Sequence, residues 1–427
     1  FTRSVQTLVN RIGKKPRVMV WPYGQFNDVA VQLARQAGMP HYFSLGEKII
    51  NKVGDKHIGR LLLNAETDLN TVKNYLDGID ESKQIQRVLH VDLDYVYDAD
   101  KAQQAKNLDK LIDRIYRYGV TTVYLQAFSD PDGDGVADAL YFPNKYLPVR
   151  DDIFGRIAWQ LQTRAGVQVY AWMPVLAFDL RKSVKEAEYV IDSRTGKPST
   201  KAYLRLSPYN KQNVEIIKSI YNDLSFYAKF NGILFHDDAF LTDFEGAEGN
   251  HAEGIVSPQA KQKTQDLIQL THQLTDALKP YFLRGSYSLK TARNLYASVI
   301  TNPNAEEWLA QNLKTLTDNY DTTAIMAMPY MENEQPISQE EAYQWFVSLI
   351  ENVKTQAPLD KVLFEFQAVN WRTQKPIPES ELIDWMMLLQ KNHIYSYGYY
   401  PDNFLTNQPD LNKMKPYFSV NTNVGKP

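Results

Sequence analysis

The sequence predicts an α/β protein whose main body is a (β/α)8 barrel of the TIM type, preceded by a partial α/β fragment. The first observation is a rhythm that begins near Arg87, in which short runs of β-branched and aromatic residues alternate with helical stretches. The second is that these runs are almost continuously apolar, which suits parallel strands buried on both faces. A doubly wound open sheet is the alternative, but no glycine-rich phosphate loop follows the first run.

Eight apolar runs are the predicted barrel strands. In chain order they are Arg87–Tyr95, Thr121–Phe128, Gln168–Phe178, Gly232–Ala239, Leu289–Ala297, Thr323–Tyr330, Lys361–Trp371 and Ile394–Tyr400. The segments between them carry apolar residues at helical spacing, as at Leu108, Leu111, Ile112 and Ile115. Strands and helices alternating in this way are typical of a (β/α)8 barrel with insertions.

The first 80 residues do not follow this rhythm. Arg17–Tyr23 predicts a strand that ends at Pro22, Asn27–Ala37 predicts a helix, and Tyr42–Leu45 predicts another short strand. We therefore place a domain boundary near residue 80, with residues 1–80 as the fragment and residues 81–427 as the barrel domain.

Composition excludes several classes of function. Among 427 residues, 44% are hydrophobic and 23% charged, which is a globular balance, and the net charge of −3 argues against nucleic acid as a partner. The chain has no cysteine, so disulfides, zinc–thiolate sites and cysteine nucleophiles are excluded. The seven histidines show no H-x-x-x-H spacing. We expect neither a metal site nor a cofactor.

One acidic loop resembles the start of a calcium-binding loop. Asp130, Asp132 and Asp134 occupy its first, third and fifth positions and Gly135 its sixth, but the twelfth position is Tyr141 instead of glutamate. We favour a plain acidic turn, and calcium binding stays open.

Carboxylates follow two of the predicted strands, where the active site of a (β/α)8 barrel lies. Strand alternation puts Asp92 and Asp94 on one side, as a buried pair or as an acidic wall for a sugar or a cation. The fourth strand ends in His236, Asp237 and Asp238. Repulsion between adjacent carboxylates should raise one pKa, as a general acid requires, although a helix cap beside a second aspartate is the alternative.

Aromatic residues make up 12% of the chain, including 27 tyrosines, and can serve a core or a sugar-stacking surface. Several of these rings fall at predicted strand ends, where ligand contact is the better explanation: Trp172, Tyr330, Trp371, Tyr397, Tyr399 and Tyr400. Paired carboxylates beside aromatic rings on this fold indicate glycoside hydrolysis.

The sequence from about residue 87 to 425 closely resembles the C-terminal domain of the PgaB family, the periplasmic poly-β-1,6-N-acetyl-D-glucosamine deacetylases of biofilm-forming Gram-negative bacteria. The stretches that carry the resemblance are HVDLDYVYD, TVYLQAF, DPDGDG, YAWMPVL, RLSP, GILFHDDA, KTARN, AIMAMPY, QAVNW and YGYYPDNF. The resemblance implies a hydrolase that binds and cleaves partially de-N-acetylated poly-N-acetylglucosamine in an acidic groove.

The resemblance also implies roles for particular residues. Asp238 would be the catalytic acid and Asp237 its partner, which would orient a substrate acetamide if the mechanism is substrate-assisted. Four residues match family positions that line the groove: Tyr203, Trp308, Trp371 and Tyr400. The expected substrate-binding set is completed by Asp92, Asp94, Trp172, His236, Arg293, Tyr330, Glu332 and Asp402.

Residues 1–80 resemble the tail of the family's deacetylase domain, through VWPYG at Val20–Gly24. Because that domain's aspartate and H-x-x-x-H metal motifs are missing, we expect no deacetylase activity from this chain alone. The family implies a periplasmic location, with outer-membrane association in the full-length protein, and an export porin as a partner. Two alternative functions remain, a non-catalytic module that guides the polymer to an export pore and a chitinase-like hydrolase.

Overall fold

The computed structural model describes residues 1–45, 51–61, 85–246, 256–282, 289–302 and 304–420, with the single residues 63, 72 and 76. The chain divides into two compact units, one formed by Phe1–Gln84 with Pro280–Ser288 and the other by Ile85–Lys279 with Leu289–Pro427. The predicted boundary near residue 80 lies outside the described residues.

The first unit contains a small parallel sheet. Its strands are Val18–Val20, His41–Phe43 and His57–Ile58, and the second strand lies between the other two. Helices Thr2–Ile12 and Asp28–Gln36 belong to the same unit, and Trp21 is buried in its core. The predicted first strand, helix and second strand are confirmed, whereas the first helix and third strand were not predicted.

The second unit is a closed parallel barrel, as predicted. Within the described residues, eight strands pair in chain order and the last pairs with the first. They are Arg87–Val91, Thr122–Gln126, Gln168–Met173, Gly232–Phe235, Lys290–Tyr296, Thr322–Ala327, Val362–Gln367 and Tyr397–Tyr400. Several strands end before the predicted runs do, because the last residues of each run turn out of the sheet and form the rim.

Helices and short turns surround the barrel strands. The α-helices of this unit are Lys101–Tyr118, Phe154–Gln160, Lys211–Tyr227, Pro258–Phe282, Ser298–Thr301, Glu306–Leu309, Leu313–Asn319, Pro329–Glu332, Gln339–Gln356, Glu379–Lys391 and Leu411–Phe418. Leu161–Ala165 continues one helix in π form, and Leu93–Tyr95 and Leu359–Lys361 form 3-10 turns. Three two-stranded ribbons lie outside the barrel: Phe128–Ser129 with Ala139–Leu140, Ile191–Asp192 with Lys197–Pro198, and Val369–Asn370 with Lys375–Pro376. None of the described helices is both long enough and apolar enough to span a bilayer.

The seam between the last and first strands depends on close packing. Gly398 lies opposite Val88, and a Cβ atom at Gly398 would stand 2.4 Å from the Val88 carbonyl oxygen. Any side chain at this position would therefore force the two strands apart, which explains the glycine in the run YGYY.

A buried ion pair ties the two sides of this seam. Arg114, on the helix after the first strand, donates to both carboxylate oxygens of Asp402 at 2.6–3.0 Å, and the Tyr399 hydroxyl donates to Asp402 at 2.7 Å. The Asp402 side chain has no exposed surface. The predicted substrate contact of Asp402 is therefore wrong, because Arg114 and Tyr399 occupy its carboxylate inside the protein.

We expect Asp402→Ala to destabilise the barrel by about 3–5 kcal/mol, because it leaves the Arg114 guanidinium buried without a counter-charge. Urea unfolding measures this loss. Asp109→Ala is the control, since Asp109 pairs with Arg164 on the surface, with side chains 67% and 47% exposed, and it should change stability by under about 1 kcal/mol. Equal effects of the two substitutions would contradict the assignment.

Candidate active site

Asp237 is the centre of the polar cluster at the carboxyl end of the barrel. The fourth strand ends at Phe235, so Asp237 lies in the turn that follows it. Its oxygens accept hydrogen bonds from the Tyr203 hydroxyl at 2.9 and 3.0 Å and from the Tyr296 hydroxyl at 2.8 Å. His236 Nε2 lies 3.0 Å from Asp237 Oδ1. Three side chains therefore converge on one carboxylate.

These contacts keep Asp237 ionised although it is buried. Burial alone would raise its pKa, but the imidazole of His236 and the hydroxyls of Tyr296 and Tyr203 outweigh burial, and the pKa is lowered. All three groups donate to the charged form. The site thus maintains a negative charge at the rim.

The neighbouring Asp238 points away from the rim. Its carboxylate accepts the backbone N–H groups of Val175, Leu176 and Ala177 at 2.6–3.0 Å, and the residue has no exposed surface. Burial raises the pKa of Asp238, while His236 and the three amides oppose the rise. Asp238 was predicted to be the general acid. The structure argues against that role, because the residue has no surface that a substrate could reach.

Trp172 and His236 extend the cluster across the barrel mouth. The Trp172 indole N–H donates to His236 Nδ1 at 2.8 Å, so this ring nitrogen is an acceptor and the proton sits on Nε2, which faces Asp237. The tautomer is thus fixed by its partners. Both residues belong to the predicted set, and the structure brings them together with Asp237.

Glu332 supplies a second carboxyl group of different character. It ends the short helix Pro329–Glu332 after the sixth strand and accepts the amides of Ala297 and Ser298 at 2.8 and 3.2 Å. Burial raises the pKa of Glu332 to about 7, and the negative charge of Asp237 contributes to the rise. Near neutral pH both the protonated and the ionised form of this group are therefore populated.

Aromatic rings line the mouth beside these carboxyl groups. The rings of Trp172 and Tyr400 meet edge to face at 5.4 Å, and Trp371 stacks on Tyr400 with ring centroids 6.3 Å apart. By contrast, Tyr397 and Tyr399 are fully buried against Phe418. The interpretation of those two tyrosines as ligand contacts was wrong, because alternation along the last strand turns them into the core.

The first strand presents two carboxylates in different environments. The strand ends at Val91 and a 3-10 turn follows, so strand alternation does not apply to Asp92 and Asp94. Asp94 accepts from Arg150, from the Tyr141 hydroxyl at 2.5 Å and from the Ser129 hydroxyl at 2.9 Å. Three donors thus hold its carboxylate, and its role in substrate binding stays a prediction.

Asp92 remains available to a ligand. Within the described parts of the chain, no lysine or arginine forms a salt bridge with it. Burial and the charge of Asp94 raise its pKa to about 7. A cation bound beside Asp92 would stabilise the ionised form, so this position suits a positively charged group.

Three further residues of the predicted substrate-binding set differ in how deeply they are buried. Arg293 is fully buried and donates to the Tyr320 hydroxyl at 2.8 Å and to a backbone carbonyl, which makes a substrate contact untenable. The Tyr330 hydroxyl donates to Glu381 at 2.5 Å. Trp308 is 39% exposed, which leaves its ring accessible.

A polar group beneath the rings was not predicted. His90 and Asn294 hold the carboxylate of Glu365 at 2.8 and 2.6 Å, and all three side chains are buried. The His90 ring lies edge-on to Trp172 at 5.3 Å. This buried cluster therefore supports the Trp172 ring through His90.

Tyr296 is the other residue that the sequence analysis missed. It ends the fifth barrel strand two positions after Asn294, and strand alternation puts the two side chains on the same face of the strand. Its position at a strand end was the available signal, the one that singled out Trp172 and Tyr400.

The acidic loop places Asp130, Asp132 and Asp134 with carboxylate oxygens within 4.8 Å of one another. The oxygens of Asp130 accept the amides of Gly133, Asp134 and Gly135 at 2.9–3.1 Å. The loop is thus closed by its own hydrogen bonds, and the plain acidic turn stays a prediction.

Comparison with known proteins identifies the family of the barrel domain. The model of hypothetical glycosyl hydrolase family 13 matches residues 90–400. The chain is 38% identical to the glycoside hydrolase domain of PgaB (BpsB) from Bordetella bronchiseptica over 79% of this chain and 100% of that one, with a TM-score of 0.71.

The chain also resembles curated proteins of greater length. It is 38% identical over 442 aligned positions to the poly-beta-1,6-N-acetyl-D-glucosamine N-deacetylases of Escherichia coli K12 and O157:H7, which covers 98% of this chain and 65% of those proteins. This chain thus spans about two thirds of their length. These matches show that the chain belongs to hypothetical glycosyl hydrolase family 13, together with the glycoside hydrolase domain of PgaB.

Proposed function

We propose that the chain is an endo-acting glycoside hydrolase that cleaves partially de-N-acetylated poly-β-1,6-N-acetyl-D-glucosamine. The observation that carries the proposal is a pair of rim carboxyl groups whose pKa values differ, lowered at Asp237 and raised to about 7 at Glu332. Two carboxyl groups whose pKa values are shifted in opposite directions are what acid-catalysed cleavage of a glycosidic bond requires.

The two carboxyl groups take different roles. Protonated Glu332 donates its proton to the leaving glycosidic oxygen. Ionised Asp237, fixed by Tyr203, Tyr296 and His236, stabilises the positive charge that develops on the sugar, or on its acetamide if that group attacks. Glu332 thus replaces Asp238 as the proposed acid, because Asp238 has no exposed surface.

The substrate preference follows from charge and aromatic surface. Asp92 is a carboxylate near the rim that forms no salt bridge within the described residues, which suits the ammonium group of a glucosamine unit. Trp371 and Tyr400 offer stacked rings for the apolar faces of the sugars. Both features favour a polymer with free amines over a fully acetylated one.

The biological setting is part of the proposal. The names of the Escherichia coli relatives refer to the same polymer, which supports a role in its processing during biofilm export. By the same resemblance, the chain acts in the periplasm, associated with the outer membrane in the full-length protein and near an export porin. A non-catalytic module that guides the polymer is the alternative, and it would use the same rings and carboxylates for binding alone.

We expect the chain to shorten the partially deacetylated polymer and Asp237→Asn to abolish this cleavage, because the variant cannot stabilise positive charge on the sugar. Mass spectrometry of the products measures chain length. Asp109→Asn, a surface substitution, should cleave as the original chain does. Intact polymer that remains bound would favour the non-catalytic guiding module. Cleavage of chitin oligomers would favour a chitinase-like hydrolase.

We expect kcat/KM to fall as the pH rises through about 7, because Glu332 of the free enzyme must be protonated to act as the acid. Glu332→Gln should remove this descending limb and lower kcat by about 100-fold or more. A pH profile of product release, recorded for both proteins, tests this. A profile that stays level well above pH 7 would exclude Glu332 as the acid.

Asp92→Asn should weaken binding of deacetylated oligosaccharides by about 10- to 150-fold, since a hydrogen bond to a charged group contributes about 1.5–3 kcal/mol. Calorimetric titration with oligomers of defined acetylation measures the change. Fully acetylated oligomers are the control and should bind both proteins alike. If both substrates lose affinity equally, Asp92 does not recognise the amine.

A further inference from the structure

The acidic loop lies directly against one of the residues that hold Asp237. Gly135 has φ +80°, and a Cβ atom built there would stand 2.0 Å from Cε1 and 2.4 Å from Cδ1 of Tyr203. The tyrosine ring thus packs on the bare backbone of Gly135. No other amino acid leaves room for this contact, and the positive φ also favours glycine.

Tyr203 needs support of this kind because its own segment is irregular. It lies in neither a helix nor a barrel strand, yet its hydroxyl reaches both oxygens of Asp237 at 2.9 and 3.0 Å. The rings of Phe240 and His236 contact it from other directions, with centroids 6.2 and 5.8 Å away. Gly135 thus contacts the Tyr203 ring with its backbone, whereas Phe240 and His236 contact it with their side chains.

The loop is rigid enough to serve as that surface. Asp130 accepts the amide of Gly135 at 2.9 Å, and its own amide donates to Asp94 at 3.0 Å. On the far side, the Ala137 amide donates to the carbonyl of Ala177 at 2.9 Å. The amide of Ala177 in turn donates to Asp238 at 2.6 Å. Hydrogen bonds therefore fix the loop between the 3-10 turn after the first barrel strand and the segment that Asp238 anchors.

We propose that Gly135 is a positioning residue of the hydrolytic site, which directs the Tyr203 hydroxyl onto Asp237. Within this arrangement Asp94 anchors the loop, although it was expected to bind substrate. The proposal rests on the proposed function for its catalytic consequence, whereas the positioning itself can be measured without substrate.

The test compares two glycines of the same loop. Gly135→Ala should displace the Tyr203 ring and lower kcat by about 100-fold, the loss expected for a misplacement of about 1 Å. Gly133→Ala is the matched control: Gly133 has φ +74°, and nothing described lies within 4 Å of its Cβ position. Both substitutions strain the backbone, but only Gly135→Ala meets Tyr203, so Gly133→Ala should leave kcat unchanged.

A second measurement distinguishes a role of Gly135 in positioning Tyr203 from a general destabilisation of the fold. Loss of the Tyr203 donor should raise the pKa of Asp237, which is faced by His236, Tyr203, Tyr296, Asp238 and Glu332. Carbon-13 titration of the Asp237 carboxyl should therefore shift upward in Gly135→Ala and in Tyr203→Phe alike. Combining the two substitutions should add nothing to Tyr203→Phe alone.

Several outcomes overturn the proposal. One is an Asp237 titration in Gly135→Ala that equals that of Gly133→Ala, and another is an additive effect of Gly135→Ala and Tyr203→Phe. If Gly135→Ala does not fold, Asp130→Asn loosens the same loop without adding an atom, and an unshifted Asp237 there also counts against it. If the titrations behave as expected but the original chain cleaves no polymer, the proposed function fails while the positioning stands.

Discussion

The hydrogen bonds that three backbone amides donate to the Asp238 carboxylate are the constraint on which the rest of the site depends. A buried carboxylate is tolerated only where donors replace water, and here consecutive amides after the third strand do so. The segment it fixes accepts the hydrogen bond of Ala137 at the end of the acidic loop. That loop carries Gly135, which contacts Tyr203, which in turn holds Asp237. Of the two adjacent aspartates, Asp238 thus fixes the backbone and Asp237 provides the negative charge at the rim.

The different environments of the carboxyl groups follow from the donors that each one finds. Asp237 finds hydroxyl and imidazole donors and stays ionised, while Glu332 finds two amides and the repulsion of a nearby negative charge. Asp94 is neutralised by Arg150, and Asp92 is not paired in this way in the described part of the chain. Within one rim, similar side chains therefore occupy four different electrostatic environments.

The barrel itself was predictable because its strands are nearly continuous apolar runs, and the rim residues could be found because they follow those runs. What the sequence could not reveal are contacts between residues far apart in the chain. Tyr203 and Tyr296 reach Asp237 from 34 and 59 residues away. The same limit explains Asp402, whose partner Arg114 lies 288 residues earlier. Local patterns place a carboxylate at a strand end, but only the folded chain decides whether it faces solvent, an arginine or an amide.

The long separation at the seam also bears on the order in which the barrel assembles. Neighbouring strands meet through comparatively short connections, so their contacts cost little loop-closure entropy and can form early. The ion pair of Arg114 with Asp402 and the packing of Gly398 on Val88 join the two ends of the sheet. These contacts gain their full free energy only once the intervening strands are in register. From this topology we expect the closure of the barrel to be a late step of folding, before which its first and last strands are open edges.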